Sequence, residues 1–191
     1  MVIKIDKDIC RCFWANPKNP LYIAYHDEEW GVPCHDDGRL FEMLILEGFQ
    51  AGLSWECVLN KRAAFREAFD NFDVQKVMKY DENKLSELAA NAKIIRNRLK
   101  INASIVNARA FAEIQKECGS FDRYIWGFTD GKVIGEPCDQ RTTSPLSDAI
   151  SKDLKKRGMK FVGSTVIYSY LQAIGVIDGH LDGCWKYRRL K

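Results

Sequence analysis

Apolar residues repeat with helical spacing along most of the chain, and alternation with a period of two is scarce. The densest apolar run is LFEMLIL at residues 40–46, and Asp36 or Asp37 just before it suits a helix N-cap. We therefore predict a helix over about residues 37–49. Because its apolar positions are nearly continuous, this helix is expected to be buried on most of its circumference.

Turn and cap residues divide the rest of the chain into further helices. Ser54 can cap a second helix that runs through Phe69, and the turn residues between Thr129 and Pro145 predict a loop. The first 35 residues predict an irregular packed segment with short helical turns. The fold class is all-α, and the other predicted helices cover residues 74–79, 84–90, a longer stretch from about 99 onward, 121–128, 146–157 and 165–174.

Composition agrees with one globular domain. The chain has 191 residues, of which 46% are hydrophobic and 29% charged. Its first ten residues, MVIKIDKDIC, carry acidic residues where a signal peptide would have its apolar core, and we expect a cytoplasmic protein with no membrane partner. The seven Cys are then expected to be mostly reduced.

The net charge of +3 is unevenly distributed. Residues 1–92 carry 11 Lys and Arg against 16 Asp and Glu, a balance of −5, while residues 93–191 carry 18 against 10, a balance of +8. This asymmetry permits a basic face for an anionic partner such as nucleic acid. A solvated basic surface explains it equally well.

A carboxylate inside the apolar run is the first candidate for chemistry. Glu42 and Glu47 are five residues apart, about 140° on a helix, so one can reach solvent while the other faces the interior or a pocket. A buried carboxylate must be paired, protonated or waiting for a ligand. Aromatic residues flank Glu47 in sequence and would suit a slot for a flat, electron-poor or cationic molecule: Tyr22, Tyr25, Trp30 and Trp55. Alternatively, the aromatics are core and Glu47 binds an Arg or caps a helix.

Metal and phosphate sites are the other candidates. His180 and Cys184, with Cys12 and His26 from the other end of the chain, would make a Cys₂His₂ zinc site, although Cys10, Cys34 and His35 compete as ligands. The stretch IIRNRLK at residues 94–100 can hold a phosphate at a helix N-terminus, or be a solvated turn. No G-x-S-x-G, P-loop or dinucleotide motif is present.

Six blocks of sequence, in order along almost the whole chain, resemble the 3-methyladenine DNA glycosylase I family. They are RCFW at residues 11–14, PLYIAYHDEEWGVP at 20–33, LFEMLILEGFQAGLSW at 40–55, IIRNRLKI at 94–101, residues 150–163, and H-x₃-C at 180–184. The resemblance implies a helix-hairpin-helix glycosylase fold with two helical lobes around a base pocket. It implies one domain, in which segments 1–35 and 163–191 pack together through zinc and residues 36–162 form a central region with the hairpin near 91–100.

The resemblance also assigns residues. A structural zinc, one per chain, would be held by Cys12, His26, His180 and Cys184. Glu47 would be the catalytic, base-binding carboxylate, with Tyr22, Tyr25, Trp30 and Trp55 as aromatic walls. The DNA contacts would come from Gly52, Leu53, Lys93, Arg96, Arg98 and Lys100. The substrate would be alkylated double-stranded DNA, the product free 3-methyladenine, and the enzyme a monomer in base-excision repair.

Some positions depart from the family pattern. Lys93 and Leu99 stand where some relatives have Gly, so the grip on phosphate should rely more on Lys and Arg than on exposed amides. Asn102 and Asn107 stand near the place of the superfamily's catalytic Asp, and neither can be an anionic base. No motif positions a Lys for Schiff-base chemistry, so the expected activity is monofunctional.

Two other functions fit parts of the sequence. A zinc-clipped nucleic-acid-binding module without catalysis would explain the missing Asp, and it predicts DNA binding without base release. A helical enzyme for a small planar metabolite would explain the aromatic cluster, and it predicts nucleoside binding that does not depend on DNA.

Overall fold

A computed structural model describes residues 9–136 and 141–187 of the chain. The described part is mostly helical, which confirms the predicted fold class at that level. Residues 137–140 of the predicted loop, and residues 1–8 and 188–191 of the predicted terminal segments, lie outside the described residues.

Ten α-helices, one π-helical turn, one 3₁₀ turn and a pair of two-residue strands are found in the described residues. In chain order they are α1 (Pro20–Ala24), the π turn (Tyr25–Glu29), α2 (Asp37–Gln50), α3 (Trp55–Leu59), α4 (Arg62–Ala68), the 3₁₀ turn (Asp70–Phe72), α5 (Val74–Val77), α6 (Glu82–Ala90), α7 (Arg98–Cys118), α8 (Phe121–Gly127), β1 (Ile134–Gly135), α9 (Pro145–Lys156), α10 (Ser164–Ala173) and β2 (Ile177–Asp178).

Helix α2 lies at the centre of the fold. The Asp36 side chain caps it by accepting from Arg39 N at 2.8 Å, as the sequence predicts. Every residue from 40 to 49 is buried, because α7 and α10 pack against this helix and α3 and α8 cover its ends. Phenylalanine rings fill the contacts, with the rings of Phe41 and Phe111 5.1 Å apart between centroids.

Two local features differ from the sequence prediction. The helix predicted from Ser54 to Phe69 is two helices, α3 and α4, because the chain turns at Asn60 and Lys61. Strands β1 and β2 pair in parallel, with Ile134 opposite Ile177, in a protein predicted to be all-α. Each strand is only two residues long, so the pair joins two loops without forming a sheet layer.

The first and last parts of the described chain lie against each other. Trp185 N donates to Cys10 O at 2.9 Å, and Cys34 N donates to Ile174 O at 3.0 Å. Gly175 has a φ of +75°, and a Cβ there would lie 2.4 Å from the Val32 carbonyl carbon. A side chain at this position is excluded by both the backbone and the neighbouring segment. The division into lobes stays a prediction.

None of the helices in residues 9–136 and 141–187 has both the length and the apolar character needed to cross a membrane.

Candidate active site

A π-helical turn directs the adjacent residues Tyr25 and His26 towards two different parts of the protein. Asn19 caps α1, and the helix then widens so that Trp30 N donates to Tyr25 O at 2.8 Å, five residues back. Tyr25 and His26 inside this turn are both buried. Tyr25 faces an aromatic cavity, while His26 faces two cysteines. Single π turns in helices are frequent at functional sites.

Glu47, on the last turns of α2, is a buried carboxylate that has no counter-charge in the part of the chain that the structure describes. Its side chain is 3% exposed, and its Oε2 has no hydrogen-bond partner among the described residues. Burial raises the pKa of Glu47 to about 8. A carboxyl group in this state gains from any ligand that brings a donor or a positive charge.

The sequence predicts that one of the two carboxylates of α2 can reach solvent. The structure differs, because Glu42 is buried as well as Glu47. Glu42 Oε1 accepts from Arg62 Nε at 2.8 Å and from Arg66 Nε at 2.7 Å. Arg62 Nη1 also contacts Glu29 at 2.8 Å. Although burial acts in the opposite direction, the hydrogen bonds from Arg62 and Arg66 hold the pKa of Glu42 below its usual value.

The aromatic cavity beside Glu47 has a volume of about 230 Å³. The rings of Tyr25 and Trp55 are 5.1 Å apart, and those of Trp14 and Trp30 are 4.7 Å apart. Trp55 Nε1 is buried there without a partner among the described residues, so the wall offers an unused donor as well as an unused acceptor. The lining residues are Trp14, Tyr22, Tyr25, Trp30, Glu47, Gln50, Trp55, Ser169 and Gln172.

A second cavity adjoins the aromatic one. Glu47, Gln50 and Ser169 line both, so the two spaces meet at the carboxylate. The second cavity is lined further by the loop of residues 51–53 and by α10. Gly52 in this loop has a φ of +79°, and Leu53 is 44% exposed, so an apolar residue that lines this cavity is also partly open to solvent.

Three candidate metal ligands converge behind the aromatic wall. One ligand atom each from Cys12, His26 and Cys184 all lie within 4.8 Å of one another, and all three residues are buried. His26 Nδ1 contacts Asp27 Oδ1 at 2.8 Å, which leaves Nε2 directed towards the Cys184 sulfur at 3.5 Å. An imidazole nitrogen and two cysteine sulfurs held in this way are typical of a zinc site, where the cysteines bind as thiolates.

The fourth sequence-predicted ligand, His180, lies beside this group but outside that 4.8 Å limit. The rings of His26 and His180 are 5.6 Å apart. His180 Nδ1 contacts Asp178 Oδ1 at 2.7 Å, and its Nε2 is buried without a partner among the described residues. Gly31 permits this placement, since a Cβ there would lie 2.5 Å from His180 Cε1.

The basic stretch at residues 94–100 and the hairpin predicted near 91–100 fall where α6 is joined to α7. Residues 91–97 form the link, and residues 98–100 are the first turn of α7. Asn97 caps α7 by accepting from Lys100 N at 3.1 Å. Lys93 and Arg96 are exposed, and the exposed Arg98 forms a salt bridge with Glu82. The link therefore presents cations around a helix N-terminus.

Lys100 is placed differently from the other predicted DNA contacts. It is 7% exposed, and its ammonium donates to Phe49 O at 2.8 Å and to Ala51 O at 2.5 Å. The ammonium of Lys100 therefore binds backbone carbonyls inside the protein, at the C-terminal end of α2. Asn107 is likewise internal, since its side chain donates to Lys160 O at 2.9 Å and accepts from Lys160 N at 2.8 Å.

Four residues of the cavity wall were not predicted from the sequence: Trp14, Gln50, Ser169 and Gln172. Trp14 and Gln50 lie in two of the sequence blocks that resemble the family, RCFW and LFEMLILEGFQAGLSW. Their place in these blocks is the sequence signal that could have identified them as cavity residues. Ser169 and Gln172 lie on α10, more than 100 residues from Glu47 in sequence. Only the packing of α10 against α2 brings them to the cavity.

Comparison with known proteins gives consistent matches. The family described as methyladenine glycosylase matches residues 14–187. DNA-3-methyladenine glycosylase 1 of Escherichia coli (strain K12) is 46% identical over 184 residues, which cover 93% of this chain and 96% of that protein.

Solved structures match over the same extent. A crystal structure of a 3-methyladenine DNA glycosylase I has a TM-score of 0.89 at 45% identity, with 94% of this chain and all of that chain covered. A variant of such an enzyme in complex with 3-methyladenine has a TM-score of 0.87 at 34% identity, with 91% of this chain and 96% of that chain covered.

Proposed function

The chain belongs to the methyladenine glycosylase family, and from that premise we propose that it is a DNA-3-methyladenine glycosylase of base-excision repair. Its substrate is alkylated double-stranded DNA, and its product is free 3-methyladenine. The observation that carries this proposal is the unpartnered carboxylate of Glu47 in the wall of an aromatic cavity. A cationic base with an exocyclic amino group supplies both the charge and the donor that this carboxylate lacks.

The target nucleotide must leave the duplex to reach this cavity. Enzymes that act on a base flip it out of the stack, and a damaged base costs less to extrude. In the flipped state the base enters between the aromatic walls, where the ring faces of Tyr25 and Trp55 favour a cation. Glu47 accepts a hydrogen bond from the amino group, which selects the base.

The chemical step needs little acid catalysis. Methylation at N3 gives the base in DNA a positive charge. When the glycosidic bond breaks, the base takes the bonding electrons and therefore leaves as a neutral molecule. Water supplies the oxygen that bonds to the anomeric carbon, and its proton is released. Lysine is absent from the described residues that line the two cavities, which supports hydrolysis without a Schiff base.

The DNA backbone is held by the link between α6 and α7, acting as the hairpin of a helix-hairpin-helix unit. Lys93, Arg96 and Arg98 surround the N-terminus of α7, where phosphate is favoured by both side chains and helix dipole. Gly52 and Leu53 enter the duplex near the lesion, since the exposed Leu53 lies at the end of the helix that carries Glu47.

A structural zinc joins the two ends of the chain. The residues fit this ion, because His180 Nε2 is a buried atom beside the group formed by Cys12, His26 and Cys184, and it has no hydrogen-bond partner within residues 9–136 and 141–187. When bound, zinc would supply a closed four-coordinate link and no reactive position. Asp27 and Asp178 orient the two imidazoles for this purpose.

Cys184→Ser tests the zinc assignment. We expect metal affinity to fall at least about 10-fold and the midpoint of thermal unfolding to drop, because metal binding contributes to folding. Elemental analysis and calorimetry measure the two effects. Cys10→Ser is the matched control, since Cys10 is exposed and outside the ligand group. Full zinc retention in the Cys184 variant would remove that residue from the set.

The glycosylase assignment is tested by incubating methylated duplex DNA with the protein and identifying the released bases by chromatography. We expect 3-methyladenine to be released without strand cleavage, and Glu47→Gln to slow release by about 100-fold through loss of the ionic hydrogen bond. Glu113→Gln, an exposed carboxylate on α7, is the control. DNA binding without base release by the wild-type protein would contradict the function.

A further inference from the structure

Lys100 is a buried lysine whose ammonium contacts two backbone carbonyls. Its Nζ lies 2.8 Å from Phe49 O and 2.5 Å from Ala51 O. Both oxygens belong to the C-terminal end of α2, where carbonyl groups lack partners within the helix and the helix dipole attracts a cation. Desolvation lowers the pKa of Lys100, and among the described residues it forms no salt bridge to a carboxylate.

The backbone of the same residue is bound to the hairpin. Lys100 N donates to the side chain of Asn97, the cap of α7, at 3.1 Å. Asn97 N in turn donates to Ile95 O at 2.9 Å, which tightens the basic link. One residue therefore connects the segment proposed to hold the DNA backbone with the end of the helix that carries Glu47.

The segment that Lys100 holds is the loop of residues 51–54. Ala51 leaves the helix with a ψ of 114°, and Leu53 N donates back to Gln50 O. Beyond this contact Gly52 has open space around it, and Leu53 is 44% exposed. The Lys100 ammonium also lies 5.8 Å from the centre of the Phe161 ring. The hydrogen bonds from the ammonium thus hold the start of this loop in place.

We propose that Lys100 is a positioning residue that fixes the loop of residues 51–54 relative to the hairpin, so that Leu53 meets the duplex at the nucleotide that Glu47 receives. This inference rests on the proposed function. It assigns Lys100 to the extrusion of the base and not to the grip on phosphate. The resemblance to the family had placed it among the DNA contacts, but its buried ammonium is already occupied by two carbonyls.

Hydrogen exchange on the protein alone gives the first test. Lys100→Met keeps an unbranched apolar stem of the same length and removes the ammonium, and Lys116→Met makes the same change at an exposed position on the same helix. We expect amide exchange in residues 51–54 to accelerate about 10-fold or more in the first variant and not in the second. Unchanged exchange in this loop would overturn the proposal. This readout needs no enzymatic activity, so it decides the inference even if the wild-type protein releases no base.

Kinetics on methylated duplex DNA give the second test. With Lys100→Met we expect single-turnover release at saturating DNA to fall about 10- to 100-fold. The affinity for free 3-methyladenine and the salt dependence of DNA binding should match those of the wild type. A direct phosphate contact predicts the reverse: weaker DNA binding, a salt slope reduced by about 0.9, and an unchanged rate at saturation. That result would overturn the proposal.

A purely structural role is separated by the same measurements. It predicts loss of affinity for the free base together with loss of rate, and this outcome would also contradict the proposal. If Lys100→Met does not fold, Lys100→Gln is used in its place, because its amide is polar but uncharged and one bond shorter than the ammonium. The same difference between the effect on the rate and the effect on the affinity is expected.

Discussion

Helix α2 carries two buried carboxylates in opposite states. Glu42 receives hydrogen bonds from Arg62 and Arg66, and Arg62 is bound further by Glu29. Glu47, five residues later, faces a cavity with one oxygen unpartnered and a pKa raised to about 8 by burial. The two groups have the same chemistry, the same helix and nearly the same exposure.

The difference separates a structural use of a buried charge from a functional one. Around Glu42 the desolvation cost is offset within the folded chain by two guanidinium groups. Around Glu47 that cost is not offset until a ligand arrives, so the rest of the fold must tolerate it. Variants at the two positions should therefore change stability in opposite directions.

The largest effect is expected from Glu42→Ala. It removes the partner of the buried Arg62 and should reduce the free energy of unfolding by about 3–5 kcal/mol. Chemical denaturation at neutral pH measures this loss. Glu87→Ala breaks an exposed pair with Lys84 and should cost less than about 1 kcal/mol. Equal losses in the two variants would mean that the cluster around Glu42 contributes no more than a surface pair.

Glu47→Gln should have an effect of opposite sign that depends on pH. The folded-state pKa of Glu47 is raised from 4.5 to about 8, so the neutral form supports folding below about pH 4.5 and this support is lost as pH rises to about 8. The glutamine variant cannot ionise. Relative to the wild type it should therefore gain on the order of 2–4 kcal/mol of stability across that range.

Denaturation curves of the wild type and Glu47→Gln at several pH values between about 4 and 9 measure this difference. A difference that does not change with pH would show that Glu47 is already compensated in the empty pocket, and the contrast with Glu42 would disappear.

Among the variants in and around the two carboxylates, the smallest effect on stability is expected from Trp55→Phe. The indole nitrogen has no partner among the described residues, so its loss breaks no hydrogen bond and the stability change should stay within about 1–2 kcal/mol. Affinity for 3-methyladenine, measured by calorimetry, should fall several-fold because phenyl offers a smaller face than indole for stacking on the base. Unchanged affinity would place the base away from this wall.

Much of the fold could be predicted from local signals in the sequence. The cap at Asp36, the apolar run after it and the break at Gly52 locate α2 within one residue of its observed ends. Features set by contacts distant in sequence could not be predicted. The split between α3 and α4 occurs where Lys61 donates to Lys93 O in the link between α6 and α7, 32 residues away. The pairing of β1 with β2 depends on two loops meeting.

The candidate site shows the same limit. The flanking aromatics and Glu47 lie in one stretch of sequence, and the structure places all of them around one cavity. Which of two carboxylates was unpartnered depended on Arg62 and Arg66, which the periodicity of α2 cannot reveal. The place of Lys100 was missed for a similar reason: a lysine beside a basic turn has the same sequence pattern whether its ammonium faces solvent or a helix end.

The positions of the aromatic cavity and of the cysteine group both depend on the length of the π turn at residues 25–29. Tyr25 and His26 are adjacent in sequence, yet one faces the cavity and the other the cysteine group. Deleting a residue from this turn would return it to α-helical spacing and rotate the downstream residues by about 100°. Insertions and deletions should therefore be far less tolerated here than substitutions. Any graft of the pocket onto another helical scaffold must carry the whole turn, including the candidate metal ligand His26.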